Sequence, residues 1–406
     1  MISSIDQGVS SGEQLRRPSA VRFIVLLGLV SLFADMTYEG ARSAIGPYLG
    51  ILGAGGAVVG FVAGFGEFLG YALRLLSGYL SDRTGSYWAI TIAGYALSLS
   101  AVPLLALAGH WEIAALLIVA ERAGKALRNP ARDAMLSHAA SQTGLGWGFG
   151  LHGALDQTGA ILGPFIVSAM FLFDGAYQNG FAVLALPAVL AMSLLAGARH
   201  VYPRPHDLGV APPQLLAGRF PRLFWIYVAA TGLVAAGYAD FPLIAFHFGK
   251  TGVFSPVWIP VLYSFAMAAD AAASFFLGRL FDRIGIGAMA LATSLSALSA
   301  PFAFFGGPAL AICGLVFWGI GMGAQSSVMR AAIAPFAPAS MRGTAYGIFN
   351  AVYGFCWFAG SSLLGILYEW SLAALAATSL LLQIAAVGIL LLVARARSGG
   401  TPAGGI

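Results

Sequence analysis

The sequence predicts an all-α integral membrane protein, with twelve transmembrane helices arranged as two pseudo-symmetric six-helix bundles. Three observations lead there. Only 9% of the 406 residues are charged and 59% are hydrophobic, against about 25% charged in soluble domains, so a water-facing surface could not be covered. The apolar residues gather in runs of roughly the 20 residues that a helix needs to cross a hydrocarbon core of about 30 Å. Finally, Gly78-Tyr-Leu-Ser-Asp82-Arg83-Thr-Gly85 returns as Gly278-Arg-Leu-Phe-Asp282-Arg283-Ile-Gly285, 200 residues further on. A charged hairpin between apolar runs is therefore used twice.

In chain order the predicted spans are 23–47, 56–77, 88–108, 112–130, 145–169, 179–197, 222–245, 256–277, 287–305, 309–329, 344–366 and 372–394. Residues 1–22 are polar, include Arg16 and Arg17, and lack a short apolar core with a small-residue cleavage site, so the first run reads as a retained span. Residues 199–221 carry Pro203, Pro205, Pro212 and Pro213 and no long apolar run, which makes them a linker between a bundle at 23–198 and a bundle at 222–394. Residues 395–406 form a tail. Two further correspondences follow the same repeat: Tyr38 with Tyr238, and Gly150-Leu-His-Gly-Ala154 with Gly347-Ile-Phe-Asn-Ala351. Parallel repeats of this kind place a substrate site at their interface near the midplane.

Basic residues accumulate on the cytoplasmic side of a membrane. Arg16, Arg17, Arg22, Arg83, Arg128, Arg132, Arg199, Arg204, Arg219, Arg222, Arg279, Arg283, Arg330, Arg342, Arg395 and Arg397 all fall on one side of the predicted topology. The other side offers Lys250 with Glu112, Asp174 and Glu369. Both termini are thus expected in the cytoplasm. The net charge of +5 is this asymmetry, and no nucleic-acid partner is implied. Cys313 and Cys356 sit inside apolar runs and read as packing residues. No Cys/His cluster has metal-ligand spacing and no nucleotide loop is present, so neither metal, cofactor nor enzymatic activity is expected.

Ionisable residues inside spans are the functional signal, because each costs roughly 2.5 to 3.5 kcal/mol at mid-bilayer and so should face a cavity or a partner. Asp35, Glu39 and Arg42 share one helical face; Glu67 and Arg74 share another, with Tyr71 between them. Glu121, Lys125, Arg128 and Arg132 line one face of the fourth span beside Arg122, and His152 stands one turn from Asp156. The second half is poorer: Asp240 is expected near the outer end of its span, Asp270 in the inner part of the eighth, and Arg330 closes the tenth. Neighbouring carboxylates at Asp35 and Glu39 repel when both are ionised, which suits a proton-binding role. The competing structural reading pairs Glu39 with Arg42 and Glu121 with Lys125 on their own helices. His152 is equally well a relay or a packing residue.

With these features in place the whole chain resembles the major facilitator superfamily of transporters. The resemblance rests on Gly78, Asp82, Arg83 and Gly85, which match the superfamily's loop signature between helices two and three, and on the weaker copy between helices eight and nine. The sequence departs from the family pattern at Ser86 and Tyr87, where a basic pair is usual. The resemblance implies that helices one, four, seven and ten line the path, and so nominates Tyr38, Arg42, Glu121, Arg122, Lys125, Tyr238, Asp240, Trp318 and Gln325 for the substrate cavity. Asp35, Glu39, Glu67 and Asp156 are nominated for proton coupling. Gating falls to Gly78, Asp82, Arg83, Gly85, Asp282 and Arg283, with Asp82 facing the helix that starts near Gly343 and Asp282 the one near Gly144. Arg128-Asn-Pro-Ala-Arg132-Asp133-Ala, where Pro130 would end the fourth helix and both arginines flank the gate, resembles a motif of bacterial drug and metabolite exporters. So do Gly159 and Gly163-Pro164, there interrupted by Asp156.

The function expected is proton-coupled efflux by alternating access, carried out by a monomer in the bacterial inner membrane, with a small organic solute, protons and the lipid bilayer as partners. Proton symport of a small organic anion or nutrient is the alternative. A non-transporting sensor would need a larger soluble appendage.

Overall fold

The computed structural model describes residues 10–173, 175–203, 220–337 and 341–398. Asp174, Arg204, Pro205, Pro212, Pro213 and Arg219 lie outside the described residues, as do the side chains of Arg16, Arg17 and Asp82.

Each predicted span falls on a helix. These are α1 (Ser10–Ile51), α2 (Gly56–Thr84), α3 (Tyr87–Leu107), α4 (Trp111–Ala140), α5 (Leu145–Phe173), α6 (Tyr177–Val201), α7 (Arg222–Thr251), α8 (Trp258–Ile284), α9 (Ile286–Phe305), α10 (Pro308–Phe336), α11 (Arg342–Trp370) and α12 (Leu372–Ser398). Among the described residues, 11 helices are long and apolar enough to cross a membrane on composition alone. The twelfth, α4, has the length at 30 residues but carries the densest charge, which only the protein interior can accommodate. The first helix begins at Ser10, well before the apolar run.

Two helices are interrupted where chemistry is concentrated, and a third passes unbroken through a proline. α7 breaks between Gly237 and Phe241, and Pro242 helps restart it, since proline tolerates the first helical turn. α10 passes through a π turn at Ala324–Val328, a distortion that often marks functional sites. α4 runs straight through Pro130 to Ala140 rather than ending there. Ser77 of α2 donates its hydroxyl to the Leu127 carbonyl beside the proline, the kind of side-chain compensation that lets membrane helices keep a proline.

Within the first half α1 packs on α5 and α6, and α4 on α2 and α3; within the second, α10 packs on α8 and α9, and α12 on α7 and α9. The halves meet along α1 with α7, α2 with α11 and α5 with α8. Glycine permits the closest of these approaches. A Cβ on Gly46 would collide with the Pro242 carbonyl, and one on Gly64 would lie 2.8 Å from the Ser361 Cβ. Such small-residue seams are how helices associate where lipid removes the hydrophobic drive. The α1–α7 seam lies at the face opposite the chain termini, where Glu369 also accepts a hydrogen bond from the Ala57 N–H at 3.1 Å. Among the described residues, no hydrogen bond, ion pair or ring contact joins α4 to α10.

Both copies of the duplicated hairpin end on a glycine of positive φ, in the left-handed region at Gly85 and with an extended ψ of −136° at Gly285. Gly85 has φ +63° and donates to the Ser81 carbonyl at 2.9 Å; Gly285 has φ +58° and donates to the Phe281 carbonyl at 2.8 Å. The positive φ explains the glycine at each end of the repeat. Gly85→Ala is expected to destabilise the protein by about 1 kcal/mol through left-handed strain, read as a lower thermal midpoint in detergent, whereas Gly70→Ala, which enters open space, should leave the midpoint unchanged.

Candidate functional site

α1 carries the axis of the site. Asp35 sits at the centre of the 33-residue stretch Ser19–Ile51, is 5% exposed, and its Oδ1 has no hydrogen-bond partner among the described residues. One turn on, Glu39 is held twice. Its Oε1 lies 3.4 Å from Lys125 Nζ of α4, and its Oε2 accepts the Tyr263 hydroxyl of α8 at 2.5 Å. Lys125 also stands 3.6 Å from the centre of the Tyr38 ring, so cation, carboxylate and aromatic face form one unit.

Arg42 is the bridge between the bundles. One guanidinium nitrogen lies 3.0 Å from Asp240 Oδ1 of α7 and 3.3 Å from Glu67 Oε1 of α2. Trp357 of α11 donates to the other Asp240 oxygen at 2.9 Å. Arg122 shares Glu67 at 3.4 Å and reaches Glu121 at 3.3 Å. All of these side chains are largely buried, where losing one partner costs more than the pair itself contributes. The pairs differ from those that same-helix spacing suggested. Glu39 bonds Lys125 and not Arg42, and Glu121 bonds Arg122 and not Lys125. Asp240, expected near a span's outer end, stands just past the middle of α7 in its helical break.

The aromatic and amide nominees surround this network as walls. Tyr238 and Trp318 are fully buried. Tyr238 donates to the Trp318 carbonyl, and Trp318 donates to the Ala239 carbonyl at 2.9 Å, closing the α7 break. Gln325 accepts the Tyr353 hydroxyl on the π turn. On the other side of the interface Asp270 of α8 accepts from Gln157 at 3.3 Å and from Ser274 at 3.2 Å.

Asp156 stands apart from the Arg42 cluster. Its Oδ2 lies 3.8 Å from His152 Nδ1, and His152 Nε2 lies 2.9 Å from Ser31, which also meets Arg132 at 3.2 Å. Arg132 in turn pairs with Asp133 at 2.8 Å. Arg128 is fully enclosed, 4.0 Å from the centre of the Tyr95 ring and 5.3 Å from that of Tyr38. Both arginines nominated for the gate are buried, on the α4 face that turns towards α1 and α3. Arg83 is exposed and donates to Tyr79 on its own helix at 3.1 Å. Asp282 and Arg283 are exposed and make no bond among the described residues. Gly78 faces Pro130.

Spacing alone did not nominate Tyr263, Gln157 or Ser31. Trp357 belongs to a run of Tyr346, Asn350, Tyr353 and Trp357 at helical spacing on α11, a pattern that packing alone also produces. No group of three or more His, Cys, Asp or Glu that could hold a metal occurs among the described residues.

The architecture is shared with known proteins. An uncharacterised protein of Mycobacterium tuberculosis is 42% identical over 376 residues, covering 91% of this chain and 92% of its own. An uncharacterised MFS-type transporter of Methanocaldococcus jannaschii is 28% identical over 365 residues, covering 86% and 89%. Among solved structures, a POT family transporter in complex with 5-aminolevulinic acid superposes with a TM-score of 0.74 at 13% identity over 92% of this chain and 95% of its own. The nucleoside transporter NupG superposes at 0.68 and 14% identity over 93% and 99%. Identities this low speak to the fold alone. The sequence profile described as Major Facilitator Superfamily matches residues 27–361, the stretch that holds the duplicated hairpin, the interrupted α7 and the charged centre, and the chain belongs to that superfamily.

Proposed function

We propose that this protein is a proton-coupled secondary transporter that exports a small organic solute by alternating access, with both termini in the cytoplasm of a bacterial cell. The observation that carries the reading is the Arg42–Asp240 pair. Among the described residues it is the one ion pair that crosses between bundles, and it lies beside the seam where α1 and α7 meet. With the basic termini inside, that seam faces outward, and the arrangement is one closed to the exterior.

Breaking the pair loosens this seal. A proton arriving on Asp240, or on Asp35 two turns before Arg42 in α1, removes a negative charge that Arg42 offsets in the first case and Lys125 and Arg128 in the second. Glu39 and Glu67 tie α1, α2 and α4 into one body that moves against α7, α8 and α11, and the Tyr263 bond from α8 to Glu39 breaks as it does so. Asp156 and His152 supply a second buried exchange point in α5. Asp82 and Arg83 are proposed to latch the opposite face once it closes. Proton symport draws support from the many arginines and Lys125 near the interface, which suit an anionic nutrient.

Inverted membrane vesicles from an overexpressing strain separate the two. Export by antiport requires that candidate solutes accumulate when the lumen is acid, and Asp240→Asn should reduce that accumulation at least about tenfold, in line with removal of a charged hydrogen-bonded partner. Accumulation only with an alkaline lumen would replace antiport by symport. Undiminished flux in Asp240→Asn would remove the bridge from the mechanism.

A further inference from the structure

Five carboxylates of the charged network are already engaged, while Asp35 makes no ion pair among the described residues. Glu39 is taken by Lys125, Glu67 by Arg42 and Arg122, Glu121 by Arg122, Asp240 by Arg42 and Asp133 by Arg132. Two cations at the bundle interface remain without an acidic partner among the described residues: Arg74 on α2 and Arg330 on α10. Arg74 is partly buried, and its Nε is enclosed with nothing to donate to. Its guanidinium carbon lies 5.1 Å from the centre of the Tyr71 ring. Arg330 lies two residues beyond the π turn of α10 and is exposed. The two belong to opposite bundles and are linked through side-chain contacts that run from Tyr71 of α2 by way of α11 to the π turn of α10.

Aromatic side chains complete the group. Tyr71 meets Tyr353 of α11 edge-on, with ring centres 5.5 Å apart. Tyr353 is fixed from behind by its hydrogen bond to Gln325 on the π turn. Glu67 and Asp133 act on Arg74 only from beyond ion-pair distance, each being paired with another arginine, so two guanidinium groups beside two rings leave a positive site that a further anion would balance. Guanidinium forks match carboxylate and phosphate oxygens two at a time.

We propose that Arg74 and Arg330 clamp the anionic group of an organic solute, a carboxylate or phosphonate, whose flat apolar part lies against Tyr71 and Tyr353. The assignment rests on the transport reading only in naming this anion as the cargo. Its anchors lie on α2 of one bundle and α10 of the other, so the bound anion attracts both and draws α10 towards α2. That is the direction needed to close the face bearing the termini.

The test is binding without any gradient, so that its failure leaves proton coupling untouched and a failure of coupling leaves it untouched. Full-length protein in nanodiscs of purely zwitterionic lipid would be titrated with benzoate, phenylphosphonate, benzamide and inorganic phosphate, following the thermal midpoint. The expected result is a midpoint raised by benzoate or phenylphosphonate and not by benzamide. Arg330→Gln and Arg74→Gln should each weaken that binding by about tenfold or more, as loss of charged hydrogen bonds implies, and Arg330→Lys should retain part of it. Arg330 is exposed, so its variants decide the matter should Arg74→Gln fail to fold. The proposal is overturned if neither organic anion raises the midpoint, if benzamide acts equally, or if both glutamine variants bind as well as wild type. Protection by inorganic phosphate equal to that by benzoate would mean an adventitious ion only. Loss of the benzoate effect when phosphatidylglycerol is added would assign the clamp to a lipid headgroup and would likewise overturn a soluble cargo.

Discussion

Asparagine in place of Asp35 is expected to reduce proton-driven transport at least about tenfold while leaving the protein folded, a loss typical of removing a group that must carry the proton. The amide has the shape of the carboxylic acid and cannot exchange a proton. Asp35 lies at the middle of the first span, is 5% exposed, and makes no ion pair within bonding distance, so the change breaks no bridge. Lys125, Arg128, Glu39 and Asp156 surround it, and a change in its charge is felt by all four. Glu39→Gln serves as the contrast. Glu39 is bonded to both Lys125 and Tyr263, and leaving Lys125 buried without a partner costs about 3 to 5 kcal/mol, so that variant should lose stability as well as transport. Reconstituted protein carrying Asp35→Asn should still exchange labelled for unlabelled solute with no pH gradient imposed. Gradient-driven flux equal to wild type would take Asp35 out of the coupling machinery.

Alanine at Gly46 is expected to abolish transport by a different route, by keeping α1 and α7 apart. The added Cβ would strike the Pro242 carbonyl and lie 2.8 Å from the Phe246 nitrogen. Both are backbone atoms, so no rotamer change relieves the clash. The seam must open, and Arg42 then loses Asp240. Spin labels at Leu52 and Thr251, in a background with Cys313 and Cys356 replaced, should report a longer separation in Gly46→Ala than in the unsubstituted chain. An unchanged distance distribution together with normal flux would show that the seam tolerates the methyl group and is not the gate.

The contrast between these two variants mirrors what spacing can and cannot convey. Asp35 was visible because a carboxylate inside an apolar run is expensive wherever its helix packs. Gly46 was one glycine among the 53 in the sequence, and only the position of Pro242 distinguishes it. Helical spacing placed Glu39 and Arg42 on one face, but two side chains on a face can each turn to a neighbouring helix. Lys125 and Asp240 did draw them away, 86 and 198 residues distant. Asp240 looked peripheral because span limits were judged from hydropathy, which does not register a helix that breaks at Gly237 and resumes at Phe241. Tyr263 carried no signal, since a tyrosine in an apolar helix is ordinary until its hydroxyl meets a carboxylate. Pro130 was expected to end the fourth helix, but α4 runs on to Ala140, and Arg128 and Arg132 are buried on its length.

Composition, run length and the duplicated hairpin determined the twelve helices and the doubled architecture, because the bilayer sets one helix length and makes every buried charge costly. Those terms act on each segment separately and can be added along the chain. Which charge meets which, where the bundles seal and where two arginines stand unmatched were decided only by tertiary structure, because they depend on contacts between helices far apart in sequence. Electrostatic pairing is set over a few ångströms in space, and no period along the chain encodes it.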